Sequence, residues 1–285
     1  MAKIKKVIFG LFLAMFAVVA LSSCNKDNDD TPVVSETVVA PLEEVVAQNL
    51  SSARNPFDKY ILLNTTGYKH IIEEGTDYGK CGAMTFVAAR HLKNSNHPLT
   101  RAEVNRVIKF VDDKNAKRKP DEPKISLDVY QLYLCAGVND AKLYRSKAGN
   151  RHWGKERDGL KRFIYEELSK GNPVVVSCLY NASTDVYGRN ARHFYLIVGL
   201  ALAHKATDTN YQYGGTGSYV LVKDVWRGDA SKTDEECYRT IAFDYSRFLS
   251  SIWYSGQRMP TNNGGKQRED VLPGSETYCA VAITK

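Results

Sequence analysis

The chain has 285 residues, 43% of them hydrophobic and 25% charged, and carries a formal net charge of +7. That is enough apolar material for a real core, which excludes a wholly disordered or low-complexity protein. The charge lies on no single-signed face, and "KNAKRKP" at 114–120 reads as a solvated loop, so no nucleic-acid partner is expected.

The N-terminus, "MAKIKKVIFGLFLAMFAVVALSSC", joins a basic start to an apolar run from Val7 to Leu21, the pattern of an export signal. "LSSC" resembles a lipobox, which makes residues 1–23 a signal peptide and Cys24 the expected site of lipidation, a membrane anchor. Losing Lys3, Lys5 and Lys6 with the signal lowers the net charge to +4. Residues 24–56 are polar at first, then rich in Val, Ser, Thr and Pro without a sustained period, and read as a flexible tether. Its start, "CNKDNDD", resembles the acidic leader of surface lipoproteins of Bacteroidota-type bacteria. The expected location is therefore the cell envelope, as an outer-membrane lipoprotein, with one folded domain over 57–285.

The first predicted helix starts at Cys81, with Met84, Val87, Ala88 and Leu92 on one face. Thr100 and Glu103 have capping-box spacing before a second helix carrying Val104, Val107, Ile108 and Val111. The charged stretch 112–124 with two prolines interrupts it; Ser126 is expected to cap "LDVYQLYLCA", and Gly137 to end it. Asp158 opens "GLKRFIYEELSK", with Leu160, Phe163, Ile164 and Leu168 inward. The period then changes to strands at 173–180, 193–202, 219–226 and 277–284, with a strand running into a short helix at 242–254. Helices first and an antiparallel sheet after is an α+β pattern.

A cysteine at a helix start faces the positive end of the macrodipole, which favours thiolate, and Lys80 pushes the same way. Gly82 is expected to leave room beside it for a substrate. The thiolate needs an oriented proton carrier, and His193 at the mouth of the second strand, with Asp224 late in the third, supplies one. A hairpin placing His193 directly opposite Asp224 puts Leu202 opposite Gly215 and leaves "AHKATDTNYQYG" as the loop. A slip of one residue would turn Asp224 to the other face. Cys135, Cys178, Cys237 and Cys279 have no CxxC spacing, so no metal or cofactor is expected, and in an exported protein they are open to any of three complete disulfide pairings. His70, His91, His97 and His204 show no ligand spacing and receive no role.

In chain order, "CGAMTFVAARHL", "KISLDVYQLYLCAGV", "LKRFIYEELSKGNPVVVSC", "RHFYLIVGL", "YVLVKDVWRG" and "IAFDYSRFLSSIW" resemble the segments of bacterial C39-like cysteine peptidases of the papain-like superfamily. The resemblance spans about residues 70 to 254. It implies a papain-like fold whose N-terminal helical part packs on a C-terminal antiparallel sheet. It also implies a nucleophile at Cys81, a general acid/base at His193, an orienting carboxylate at Asp224, and a peptide or protein substrate. One departure stands out: the family's oxyanion-hole glutamine is due at about Gly75, and no glutamine lies between Gln48 and Gln131. Losing such a donor costs about 10²- to 10³-fold in rate. Thr76 is a substitute donor, and Asp77 and Trp226 are further cleft candidates. A non-catalytic surface module that binds peptide or glycan in the same cleft is the alternative, and a purely structural lipoprotein a third class.

Overall fold

The computed structural model describes residues 39–41, 57–72, 74, 80–122, 125, 127–146, 153–180, 191–203, 214, 217–225, 230–252 and 279–285. Among them the strands are β1 (Val39–Pro41), β2 (Phe57–Leu62), β3 (Ala141–Arg145), β4 (Val174–Tyr180), β5 (Ala191–Ala203), β6 (Tyr219–Lys223), β7 (Ile241–Asp244) and β8 (Cys279–Ile283). The helices are α1 (Cys81–Lys93), α2 (Arg101–Asn115), α3 (Val129–Ala136), α4 (Trp153–Ser169), α5 (Asp234–Tyr238) and α6 (Tyr245–Ser251).

The strands form one antiparallel sheet in the order β1-β7-β6-β5-β4-β8-β3, which with the helices makes the domain α+β. β5 is the spine. Its 13 residues carry β6 along one side, while β4 and then β2 share the other. Residues along β5 alternate between two cores: Phe194, Leu196 and Val198 pack with α1, α2 and α3, whereas Tyr195 and Ile197 pack with Leu160, Ile164 and Leu168 of α4 and Phe248 and Leu249 of α6. Both faces are thus covered by helices, the reason the strands read as continuous apolar runs. α4 lies across the sheet from α1, because its inward stripe is served by the second face.

Local readings are corrected at several ends. Asp128, not Ser126, caps α3, its carboxylate accepting the Gln131 N–H at 2.8 Å; Ser126 lies outside the described residues. Thr100 caps α2 as expected, accepting from the Glu103 N–H at 3.3 Å. α4 begins at Trp153, five residues before the expected Asp158. Part of the expected tether, Val39–Pro41, pairs with β7, since edge pairing uses backbone groups and needs no apolar period. β2 and β3 were also missed; they are short, and β3 alternates only weakly.

The β5–β6 register differs from expectation. Leu196 stands opposite Lys223 and Ala201 opposite Tyr219, with an irregularity between Ile197 and Gly199. The shift is two residues before that bulge and three after it. Gly199 makes it possible, because a Cβ there would run into the Ile61 carbonyl oxygen and lie 2.8 Å from a Leu221 methyl, where β2 and β6 close on β5 together.

Candidate active site

Cys81 is the first residue of α1 and is buried. The Lys80 side chain, at the cap position, makes no cap hydrogen bond, and the first turn holds no acidic residue, so Cys81 sits at the positive end of the helix macrodipole. The helix is held to β5 one residue beyond His193. The Thr85 hydroxyl donates to the Phe194 carbonyl at 3.4 Å, and a Cβ at Gly82 would lie 2.8 Å from the Phe194 ring. Gly82 is therefore needed for helix-to-strand approach, and the space expected for substrate is filled by Phe194.

His193 and Asp224 meet. Nε2 of His193 lies 2.6 Å from Oδ1 of Asp224, and both side chains are buried, at 3% and 6% exposure. The encounter survives the altered register because a two-residue shift preserves the face. Continued one step past Lys223, the ladder sets Asp224 opposite Tyr195, a diagonal neighbour of His193 within reach of a carboxylate. Asp224 directly follows Lys223, the last residue of β6, where the chain leaves the ladder. A buried hydrogen bond to a charged group contributes roughly 1.5–3 kcal/mol. With Nε2 directed at the carboxylate, Nδ1 is the nitrogen placed for proton exchange elsewhere.

Two neighbours of His193 have no warning in sequence spacing. Tyr195 packs edge-on against the imidazole, ring centroids 4.8 Å apart. Cys178 of β4 stands directly opposite His193, buried and in no disulfide. Register alone could have found it, once β4 and β5 were known to pair. Tyr195 and Cys178 belong to the core on the α4 side, whereas Cys81 and Phe194 belong to the core on the α1 side.

The Cys81 sulfur is in a disulfide. Cys135, Cys178, Cys237 and Cys279 form no disulfide, so the four-cysteine pairings left open by the sequence do not form. Cys24, Thr76, Asp77 and Trp226 also lie outside the described residues. No protein-family model matches the chain, and no curated protein matches it.

Proposed function

We propose that the chain is a lipid-anchored, exported cysteine hydrolase of papain-like fold, with Cys81 as nucleophile, His193 as general acid/base and Asp224 as its orienting carboxylate. The observation that carries this reading is the buried His193–Asp224 hydrogen bond of 2.6 Å, at the strand position next to the residue on which the Cys81 helix docks. Asp224 fixes the imidazole in place, and the start of α1 sets Cys81 at the positive end of the helix macrodipole. The thiolate would add to an amide carbonyl, His193 would protonate the departing amine, and water, deprotonated by the same ring, would release the acid from the thioester. Backbone N–H groups of the first turn of α1 are the donors at hand for the oxyanion in place of the absent glutamine. Peptide bonds are the favoured substrate, on the resemblance to C39-like peptidases. Of the six cysteines only Cys24 is left to pair with Cys81, and a Cys24 whose sulfur carries the lipid cannot hold that disulfide, so anchoring at Cys24 leaves Cys81 as the thiol this chemistry needs.

The second reading is a non-catalytic surface module that binds peptide or glycan. It is favoured by the disulfide at Cys81 and by His193 resting on Tyr195, in the core opposite the one that holds Cys81.

The deciding experiment is the alkylation rate of each thiol against pH, on reduced protein lacking residues 1–24, read peptide by peptide so that Cys81 and Cys178 are separated. A catalytic Cys81 alkylates well below the ordinary thiol pKa of about 8.5 and loses that reactivity in His193→Ala. A Cys81 indifferent to His193 sinks the enzyme reading, and a Cys178 that responds to His193 in its place would reassign the nucleophile.

A further inference from the structure

Between β2 and α1 the chain turns Tyr68 and His70 inward, at 7% and 4% exposure, while Lys69 between them stays at the surface and pairs with Asp234 at 3.2 Å. Among the described residues, the Tyr68 hydroxyl and both ring nitrogens of His70 are buried without a hydrogen-bond partner. Leaving such groups unpaired is costly, so three together call for a polar occupant. Contacts on every side enclose them. His70 meets Tyr238 edge-on at 4.9 Å and lies 5.8 Å from the Tyr68 ring. Nζ of the buried Lys223 stands 5.1 Å from the centre of the Tyr68 ring and donates to the Tyr238 carbonyl at 2.6 Å. Tyr238 is only half-buried and Lys69 lies 5.8 Å over its ring, so the cluster sits directly beneath the surface with these two at its rim. Burial, and then Asp224, keep the Tyr68 phenol protonated; burial lowers the His70 pKa to about 4, Asp224 opposing and Lys223 assisting. At neutral pH the two rings therefore offer an O–H and an N–H beside an ammonium group. The acids of the neighbourhood are engaged, Asp234 by Lys69 and Asp224 by His193 at 2.6 Å.

We infer that Tyr68, His70 and Lys223 form a pocket for a carboxylate, and that this carboxylate belongs to the substrate, which is an acidic peptide. Lys223 supplies the charge, and Tyr68 and His70 supply hydrogen bonds. Position ties the pocket to the reacting groups. Lys223 stands opposite Leu196 and so shares a sheet face with Leu196 and Phe194, and Phe194 is the residue on which Gly82 and Thr85 dock α1. Tyr68 and Tyr238 pack against the same core, which includes Cys81. A peptide held here by an acidic side chain thus lies on the Cys81 side of the sheet. Its assignment as substrate rests on reading Cys81 as the nucleophile, whereas the pocket itself does not.

The test uses reduced protein lacking residues 1–24, which keeps every described residue, and follows the ring-proton resonances of His70, assigned by their loss in His70→Asn. The probes are N-acetylglutamate methylamide, its glutamine counterpart and acetate. The blocked glutamate should shift the His70 resonances saturably and bind about tenfold more tightly than the glutamine compound, as for one hydrogen bond to a charged group. Lys223→Met should abolish that preference. Tyr68→Phe, which removes one oxygen and keeps the ring, should weaken glutamate binding about fivefold, and it carries the test if the Lys223 variant does not fold. Equal binding of the two blocked residues, or no saturable shift with any probe, would overturn the inference and leave the polar atoms to enclosed water. Acetate that binds as tightly as the blocked glutamate would overturn the assignment to a peptide. Digestion of a mixed peptide library should then give cuts at a fixed distance from Asp or Glu, a selectivity lost in Lys223→Met; cuts made without regard to acidic residues would overturn the substrate class. Should glutamate bind while no peptide is cut, the pocket stands and the hydrolase reading fails.

Discussion

His193 and Asp224 lie 31 positions apart and meet through a diagonal contact. A histidine at a strand mouth and an aspartate late in the next strand read as partners from their types, their order and an expected hairpin register, and they meet although that register is shifted by two residues. Their immediate neighbours did not read so: Tyr195 packs on the imidazole from the same strand and Cys178 stands opposite His193 in the β4–β5 ladder, and nothing in their spacing marks them. His70 was equally silent, yet it makes a direct prediction. Its folded pKa, about 4, is depressed below the ordinary 6.5, because burial disfavours the charged ring. Its neutral form therefore supports the fold fully above about pH 6.5, and that support is lost as pH falls toward 4, by about 3 kcal/mol in all. Urea unfolding at pH 7 and 4.5 should show a stability drop that shrinks in His70→Phe. An identical drop in the variant would mean that His70 is not the group responsible.

Among the elements, α1, α4 and β4 to β6 followed from period and length, since each carries a long apolar stripe or run. The ends were less legible, because caps depend on which of several polar residues the backbone turns inward, as Asp128 does for α3. α4 also shows how an element is pinned by its last turn. Desolvation pushes the buried Glu167 carboxyl up, but hydrogen bonds from Lys170 (2.9 Å), Asn172 (2.7 Å) and Lys142 (3.3 Å) outweigh it and hold the group below the usual carboxylate value. A depressed acid stabilises above its unfolded pKa and ceases to as pH falls through the folded one. Glu167→Gln should thus cost about 1–2 kcal/mol at pH 7, and the gap to the parent should close in acid below the ordinary carboxylate range. A thermal-melt gap that persists there would show that shape, not charge, ties α4 to β3 and the turn before β4.

For the whole molecule, the sheet order places the last strand inside. β8 lies between β4 and β3, every residue of it buried, so the final residues of the chain complete the centre of one half of the sheet. Deleting residues 279–285 should leave β3 unpaired and both cores open along one line; cooperative unfolding by circular dichroism should vanish. A truncated chain that still melts cooperatively would show that the sheet closes without its last strand. The α+β class, the strands of the spine and the candidate residues Cys81, His193 and Asp224 were determined by the sequence, because burial period, strand composition and side-chain chemistry are local properties. The register of β6 on β5, the placing of helices on both faces, the disulfide state of Cys81 and the burial of Tyr68 and His70 were decided only by the tertiary structure. Each depends on where distant segments come to rest: the bulge at Gly199 arises only when β2 and β6 close on β5 together, and no window of sequence contains both.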